Sequence, residues 1–244
     1  LMVINKPPMN ALSTPVIKDI REAVERALKD DAVRAVVFTG EGKAFIAGAD
    51  ISEFTSLNTR QAGSDWLKAG QELMNLIENA DKPFIAAING YALGGGTETA
   101  LACHIRIADE TAQMGLPEIK LGIIPGFGGT QRSPRFFGTG RAYELILSGN
   151  FISGKQAAEY GIVNRCVPKG EAVNEAKKLA AAIALRGRPA IKAAMEVIRK
   201  GLTMEFNAAL KMERDAFGAL CETENKREGV AAFLEKRDPV PKDK

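Results

Sequence analysis

The sequence predicts an α/β fold with a helical C-terminal region, and three observations carry that expectation. Apolar segments of strand length alternate with amphipathic helical stretches over the first two thirds of the chain. Glycine-bearing turns separate them, at Gly40-Glu41-Gly42, Asn89-Gly90 and Gly94-Gly95-Gly96. From about residue 171 to 234 the chain turns Ala-, Lys- and Glu-rich, with helical periodicity and no strand candidate. The expected division is an α/β core over 1–170 and a helical region over 171–244, of a kind that often serves in subunit contacts. A chain of 244 residues fits one large domain, or one with an appended substructure.

The elements follow in order. Met2-Val3-Ile4 ends a strand, and Pro7-Pro8 breaks the chain. Ser13 or Thr14 caps a helix with Pro15 in its first turn, where Val16, Ile20, Val24 and Leu28 recur every fourth residue. Val33 to Thr39 is a buried-type strand. Ala44 to Asp50, centred on Gly48, is a loop of small residues that neither template explains. Arg60 to Asn79 is helical, with Leu67, Met74 and Ile77 on its apolar side, and Pro83 ends the segment. Phe84 to Ile88 is a strand, and Gly94-Gly95-Gly96 leads into a short helix through Glu98, Leu101 and Cys103. A strand at Ile105 to Ala108 and a short apolar piece near Met114 precede a loop-rich region, Pro117 to Gly129.

Composition removes several chemistries. The single histidine, His104, cannot build an imidazole metal site, and Cys103, Cys166 and Cys221 are too far apart for a CxxC clamp, so no metal is expected. No GxSxG elbow is present to partner His104 in nucleophilic catalysis. If the chain is an enzyme, its acids and bases are expected to be carboxylates. Three unevenly spaced cysteines make no disulfide framework, and no apolar run approaches the ~18 residues of a spanning helix, which points to a reducing, cytoplasmic setting without membrane contact. The chain opens at Leu1 in mid-strand without an initiator methionine, so a missing leader and a mitochondrial address stay open. The net charge of +3 comes without a dense basic cluster, which predicts no nucleic-acid partner and suits an anionic small substrate.

Gly149-Asn150-Phe151-Ile152-Ser153-Gly154-Lys155 imitates a phosphate loop, but Gln156 stands where Ser or Thr would hold magnesium. Ser153 with Gln156 reads better as a capping box for a helix to Tyr160. The triglycine is more telling. Glycines between a strand and a helix N-terminus expose bare N–H groups toward a developing anion, with Glu98 on the first helical turn. Glu118, after Pro117, lies twenty residues on and meets Glu98 only through tertiary folding. Together the two could hold a water and divide the roles of base and acid. Taken singly, each also reads as a turn or a surface charge.

Four blocks in order, Ala44 to Ile51, Asn89 to Glu98, Pro117 to Ile119 and Gly122 to Arg132, resemble enoyl-CoA hydratase of the crotonase superfamily over essentially the whole chain. The resemblance implies a crotonase-like spiral of ββα units whose helical C-terminal region joins subunits into a homotrimer or homohexamer, a dimer of trimers. It implies a 2-enoyl thioester of coenzyme A as substrate in lipid metabolism and fatty-acid β-oxidation, CoA being part of the substrate and no cofactor being needed. It places Glu98 and Glu118 as the catalytic pair, the N–H groups of Ala49 and Gly95 as oxyanion hole, Ala47, Asp50 and Ile51 along the substrate, and Lys236 near the CoA phosphates. Departures are His104 in a slot usually given to Asp, expected on the same short helix as Glu98, and Thr97 and Ser133 where apolar residues are common, which bears on acyl-pocket shape. Alternatives are an enoyl-CoA isomerase or pathway-specific hydratase of the same superfamily, and a non-catalytic RNA-binding relative. A glycosidase is disfavoured, since 6% aromatics and one tryptophan offer little to stack sugars.

Overall fold

The computed structural model describes residues 1–241. Its elements are β1 (Met2–Ile4), α1 (Thr14–Lys29), β2 (Val36–Gly40), β3 (Ala44–Ile46), a 3₁₀ turn (Ile51–Ser56), α2 (Arg60–Glu78), β4 (Phe84–Ile88), β5 (Tyr91–Leu93), α3 (Gly95–Ala102), β6 (Ile105–Asp109), β7 (Gln113–Gly115) and a second 3₁₀ turn (Pro117–Leu121). There follow α4 (Gly129–Phe137), α5 (Thr139–Ser148), β8 (Phe151–Ser153), α6 (Gly154–Glu159), β9 (Arg165–Val167), α7 (Ala172–Ala184), α8 (Arg188–Gly201), α9 (Phe206–Cys221) and α10 (Glu224–Glu235).

All strands lie in the first of two compact units, Leu1–Lys178. One sheet, in the order β1-β2-β4-β6-β9, is parallel throughout, with Val36 beside Phe84 and Ile85 beside Ile105. Of its three inner strands, β2 and β4 are buried at every residue and β6 at all but Ile105, as a parallel sheet covered on both faces requires. The second sheet runs β3-β5-β7-β8, parallel except for β7 with β8. The chain places β2 in the first sheet and β3 in the second, then returns through α2; β4, β5 and α3 repeat the step. This is the expected spiral of ββα units.

Three local expectations change. β2 starts at Val36, because the Val33 N–H turns back onto the Asp30 carbonyl. The small-residue segment contains β3, and the turn at Asn89-Gly90 leads into β5; three residues are too few to show a period, and the neighbouring ladders decide their state. α3 ends at Ala102, so His104 lies beyond it rather than on it. There the His104 N–H donates to the Phe84 carbonyl and its Nδ1 accepts the Phe84 N–H, both at 3.0 Å, so the imidazole continues the main-chain pairing at the edge of β4.

The second unit, Leu179–Lys244, begins inside α7 rather than ahead of it. Ala172 and Ala176 are buried, and the Ala172 N–H donates to Asp109, so the first turns of α7 belong with the sheets. In the second unit α9 packs against α8 and α10. Arg237 pairs with Glu228 and Glu235 just past α10, and Lys236 closes that helix in the left-handed conformation.

Candidate active site

α3 is buried at all eight positions, and glycine at two of them explains how closely it seats. A Cβ on Gly96 would stand 1.9 Å from the Ile46 carbonyl, so the first turn of the helix lies backbone against β3. Gly94, its N-cap, has φ +51°, and a Cβ there would meet Glu118 Oε1 at 2.8 Å. The helix N-terminus is thereby brought beside both the 47–50 segment and the 3₁₀ turn carrying Glu118.

Two N–H groups are left over at this junction. Leu12 donates to the Gly48 carbonyl and accepts from the Asp50 N–H, a parallel bridge that turns the backbone groups of Ala49 the other way. Gly95 is the first residue of α3 and has no preceding helical carbonyl to bond. Neither N–H meets an acceptor among the described residues, and Ala49 and Gly95 line the same cavity of about 330 Å³. Glu98 and Glu118 line it too, with Ala47, Ile51 and an apolar wall that includes Phe54, Trp66 and Ile124.

The two carboxyls are held differently. Glu98 is 2% exposed, and its Oε1 accepts the N–H groups of Phe127 and Gly129 at 2.8 and 2.7 Å, at the N-terminus of α4. Burial, reinforced by the charge of Glu118, outweighs these donors and pushes the carboxyl up to about 8. Glu118 rises to about 7 through burial, and its Oε2 is buried without a hydrogen-bond partner among the described residues. Such an atom costs about 1–3 kcal/mol unless a water or a substrate oxygen meets it.

The remaining expected residues fall in several places. Asp50 accepts from the Ser52 N–H and hydroxyl at the start of the first 3₁₀ turn, bonds that, with Lys6 at 3.9 Å, hold its carboxyl below the ordinary range. It does not line the cavity, although its neighbours Ala49 and Ile51 do. Lys236 belongs to the second unit. Thr97 and Ser133, whose polarity was expected to bear on acyl-pocket shape, do not line the cavity. Thr97 Oγ1 donates to the Ala92 carbonyl and accepts the Gly115 N–H, tying β5 to β7. Among the described residues no group of three His, Cys, Asp or Glu side chains could hold a metal ion.

Sequence reasoning assigned no role to the Phe127 and Gly129 donors or to Arg132. Arg132, 8% exposed, donates to the Phe127 carbonyl at 2.9 Å and to Asn75 and Glu78 of α2, at 2.9 and 2.6 Å, and so fixes the loop that binds Glu98. The signal was present as Phe127-Gly128-Gly129 before a helix, an anion-binding arrangement whose carboxylate lies 31 residues earlier.

The sequence model of the enoyl-CoA hydratase/isomerase family matches residues 1–244. The chain belongs to that family. A probable enoyl-CoA hydratase of Bacillus subtilis is 46% identical over 98% of this chain and 93% of its own length. A crotonyl-CoA hydratase of Syntrophomonas wolfei is 41% identical over 97% and 92%. Among solved structures, an enoyl-CoA hydratase from Bacillus anthracis superposes with a TM-score of 0.93 at 40% identity, covering 99% of this chain and 95% of that one. The family's fold is thus present over the whole described chain, and the cavity-lining residues, between 47 and 127, all lie within the matched residues.

Proposed function

We propose that this chain is an enoyl-CoA hydratase that adds water across the C2=C3 bond of short trans-2-enoyl-CoA thioesters to give 3-hydroxyacyl-CoA. One observation carries the reading: two raised carboxyls, Glu98 and Glu118, share a cavity with two N–H groups that have no acceptor among the described residues. The names of relatives at 41–46% identity, a probable enoyl-CoA hydratase, a crotonyl-CoA hydratase and a short-chain-enoyl-CoA hydratase, support it.

In this reading the thioester carbonyl accepts from the N–H groups of Ala49 and Gly95, and Glu98 and Glu118 hold one water over C3. The water oxygen bonds to C3, the π electrons move to the thioester oxygen, and the two donors stabilise that enolate without a cation. Glu98 takes the proton from the water, and Glu118 gives its proton to C2. The enolate collapses to the thioester, and one proton passes between the carboxyls to restore the pair. Two carboxyls raised to about 8 and about 7 let the pair hold one shared proton near neutral pH; the values belong to the pair, and hydration proceeds from the form in which that proton sits on Glu118 and Glu98 is ionised.

Ala47 and Ile51 flank the thioester, and Asp50 fixes the backbone beside Ala49. Ile198, Leu202, Phe206, Phe217, Phe233 and Leu234 of the second unit are 67–83% exposed, and so many exposed apolar side chains support subunit contact in a trimer or a dimer of trimers. Among the described residues no helix is long and apolar enough to cross a membrane.

Hydration of crotonyl-CoA by the purified protein tests the assignment. Wild type is expected to be active, and Glu98→Gln and Glu118→Gln each to lose about 10²–10⁴-fold in kcat. A variant that keeps near-full rate removes that glutamate from the mechanism, and a wild type inactive at every acyl length overturns the hydratase reading.

A further inference from the structure

Phe127 works in two directions. Its N–H donates to Glu98 Oε1 at 2.8 Å, while its ring stacks on Trp66 with centroids 5.2 Å apart and planes at 25°. Gly70 of α2 permits this, since a Cβ there would stand 2.2 Å from the Phe127 ring. Trp66 therefore lies one aromatic ring beyond the residue that fixes Glu98. Phe54 meets the same indole edge-on, with centroids 5.0 Å apart.

The indole is also anchored by a polar bond. Trp66 Nε1 donates to Glu53 Oε2 at 2.8 Å, and the Glu53 carboxylate accepts from the N–H and the hydroxyl of Thr14 at 2.8 Å each. Burial works against the Glu53 carboxylate, but the bonds from Trp66 and Thr14 prevail and hold it below the ordinary range. The lone tryptophan of the chain is thus fixed by three elements: α2, which bears it, the first 3₁₀ turn, which bears Phe54 and Glu53, and the start of α1 at Thr14.

With a thioester carbonyl at the Ala49 and Gly95 N–H groups and C2–C3 beside the two glutamates, carbons beyond C3 must run along the apolar wall. The cavity, about 330 Å³, sits at the small end of the roughly 300–1,000 Å³ usual for ligand sites. We propose that Trp66 is the specificity-determining residue that limits acyl length in this cavity, with Glu53 as the positioning residue that keeps its ring in place. The proposal rests on the hydratase reading, and its test separates the two.

The measurement is kcat and KM for crotonyl, hexenoyl, octenoyl and decenoyl thioesters of CoA. Wild-type kcat/KM is expected to fall about 10-fold or more between crotonyl and decenoyl. Trp66→Ala should raise the decenoyl-to-crotonyl ratio by about 10–100-fold, chiefly through KM for the long substrate. Trp66→Phe, which keeps a ring with less volume, should move the ratio the same way by less. Glu53→Ala should raise the ratio several-fold, and Glu53→Gln, which retains an oxygen acceptor for the indole N–H, should restore it. A ratio unchanged in both Trp66 variants, or a wild type that takes decenoyl as well as crotonyl, overturns the proposal and leaves hydration intact. A wild type inactive at all lengths overturns both.

Discussion

Arg106 and Asp109 on β6 are as deeply buried as Glu98 on α3, at 4%, 1% and 2% exposure, yet their polar atoms meet different fates. Arg106 donates to the carbonyls of Ile162 and Cys103, at 2.8 and 2.6 Å, and lies 4.4 Å above the Phe136 ring. Asp109 binds the Gly170 and Ala172 N–H groups, one with each oxygen, at 2.8 and 2.9 Å. In the cavity the carboxyls of Glu98, on α3, and Glu118, on the second 3₁₀ turn, are raised into the neutral range, and Glu118 Oε2 has no partner among the described residues. A buried charge whose bonds are filled holds elements together; one left partly unmet and shifted toward neutral pH is available for proton transfer.

The strongest test of that contrast sets stability against rate. Asp109→Ala leaves two N–H groups unmet at the start of α7 and should lower unfolding free energy by about 2–4 kcal/mol in urea denaturation. Its kcat on crotonyl-CoA, measured where the variant is folded, should stay within about 2-fold of wild type. A fall in kcat comparable to that of the glutamate variants would dissolve the distinction between the two regions.

A smaller effect distinguishes them by pH. A carboxyl raised on folding from 4.5 to about 7 leaves stability intact below about 4.5, and that contribution is lost as pH rises through about 7. Glu118→Gln abolishes this loss and also removes the charge that helps to raise Glu98. The variant should therefore match wild type near pH 5 and exceed it by roughly 1–3 kcal/mol at pH 9, while being nearly inactive. Denaturation midpoints at the two pH values decide this, and a variant less stable than wild type at pH 9 would contradict it. The wild-type profile of kcat/KM should be a narrow bell with limbs near the two values of about 7 and 8, belonging to the pair.

The same contrast marks how far the sequence could be read. The glutamates and the glycine turn stand out because local chemistry announces them: a helix start, bare N–H groups and a nearby acid. The donors to Glu98 are 29 and 31 residues away, and the Trp66–Phe127 stack joins α2 to a distant loop, so only folding reveals them. Thr97, singled out because relatives commonly carry an apolar residue there, shapes no acyl pocket; its hydroxyl serves strand carbonyls and amides rather than the cavity. β3 and β5 escaped because three-residue strands owe their state to their neighbours.

The smallest expected effect lies where a local pattern was fully legible. Ser153 Oγ accepts the Gln156 N–H, and the Gln156 side chain accepts the Ser153 N–H at 3.0 Å, a closed capping box at α6 within the stretch that imitates a phosphate loop. Ser153→Ala removes one cap bond and should cost about 0.5–2 kcal/mol of stability, with kcat unaltered. Because the box meets its own donors, millimolar ATP with magnesium should shift neither the wild-type midpoint nor that of the variant. Protection by the nucleotide would mean that the glycines at 149 and 154 bind phosphate, and that saturated polar bonds do not by themselves mark a purely structural segment.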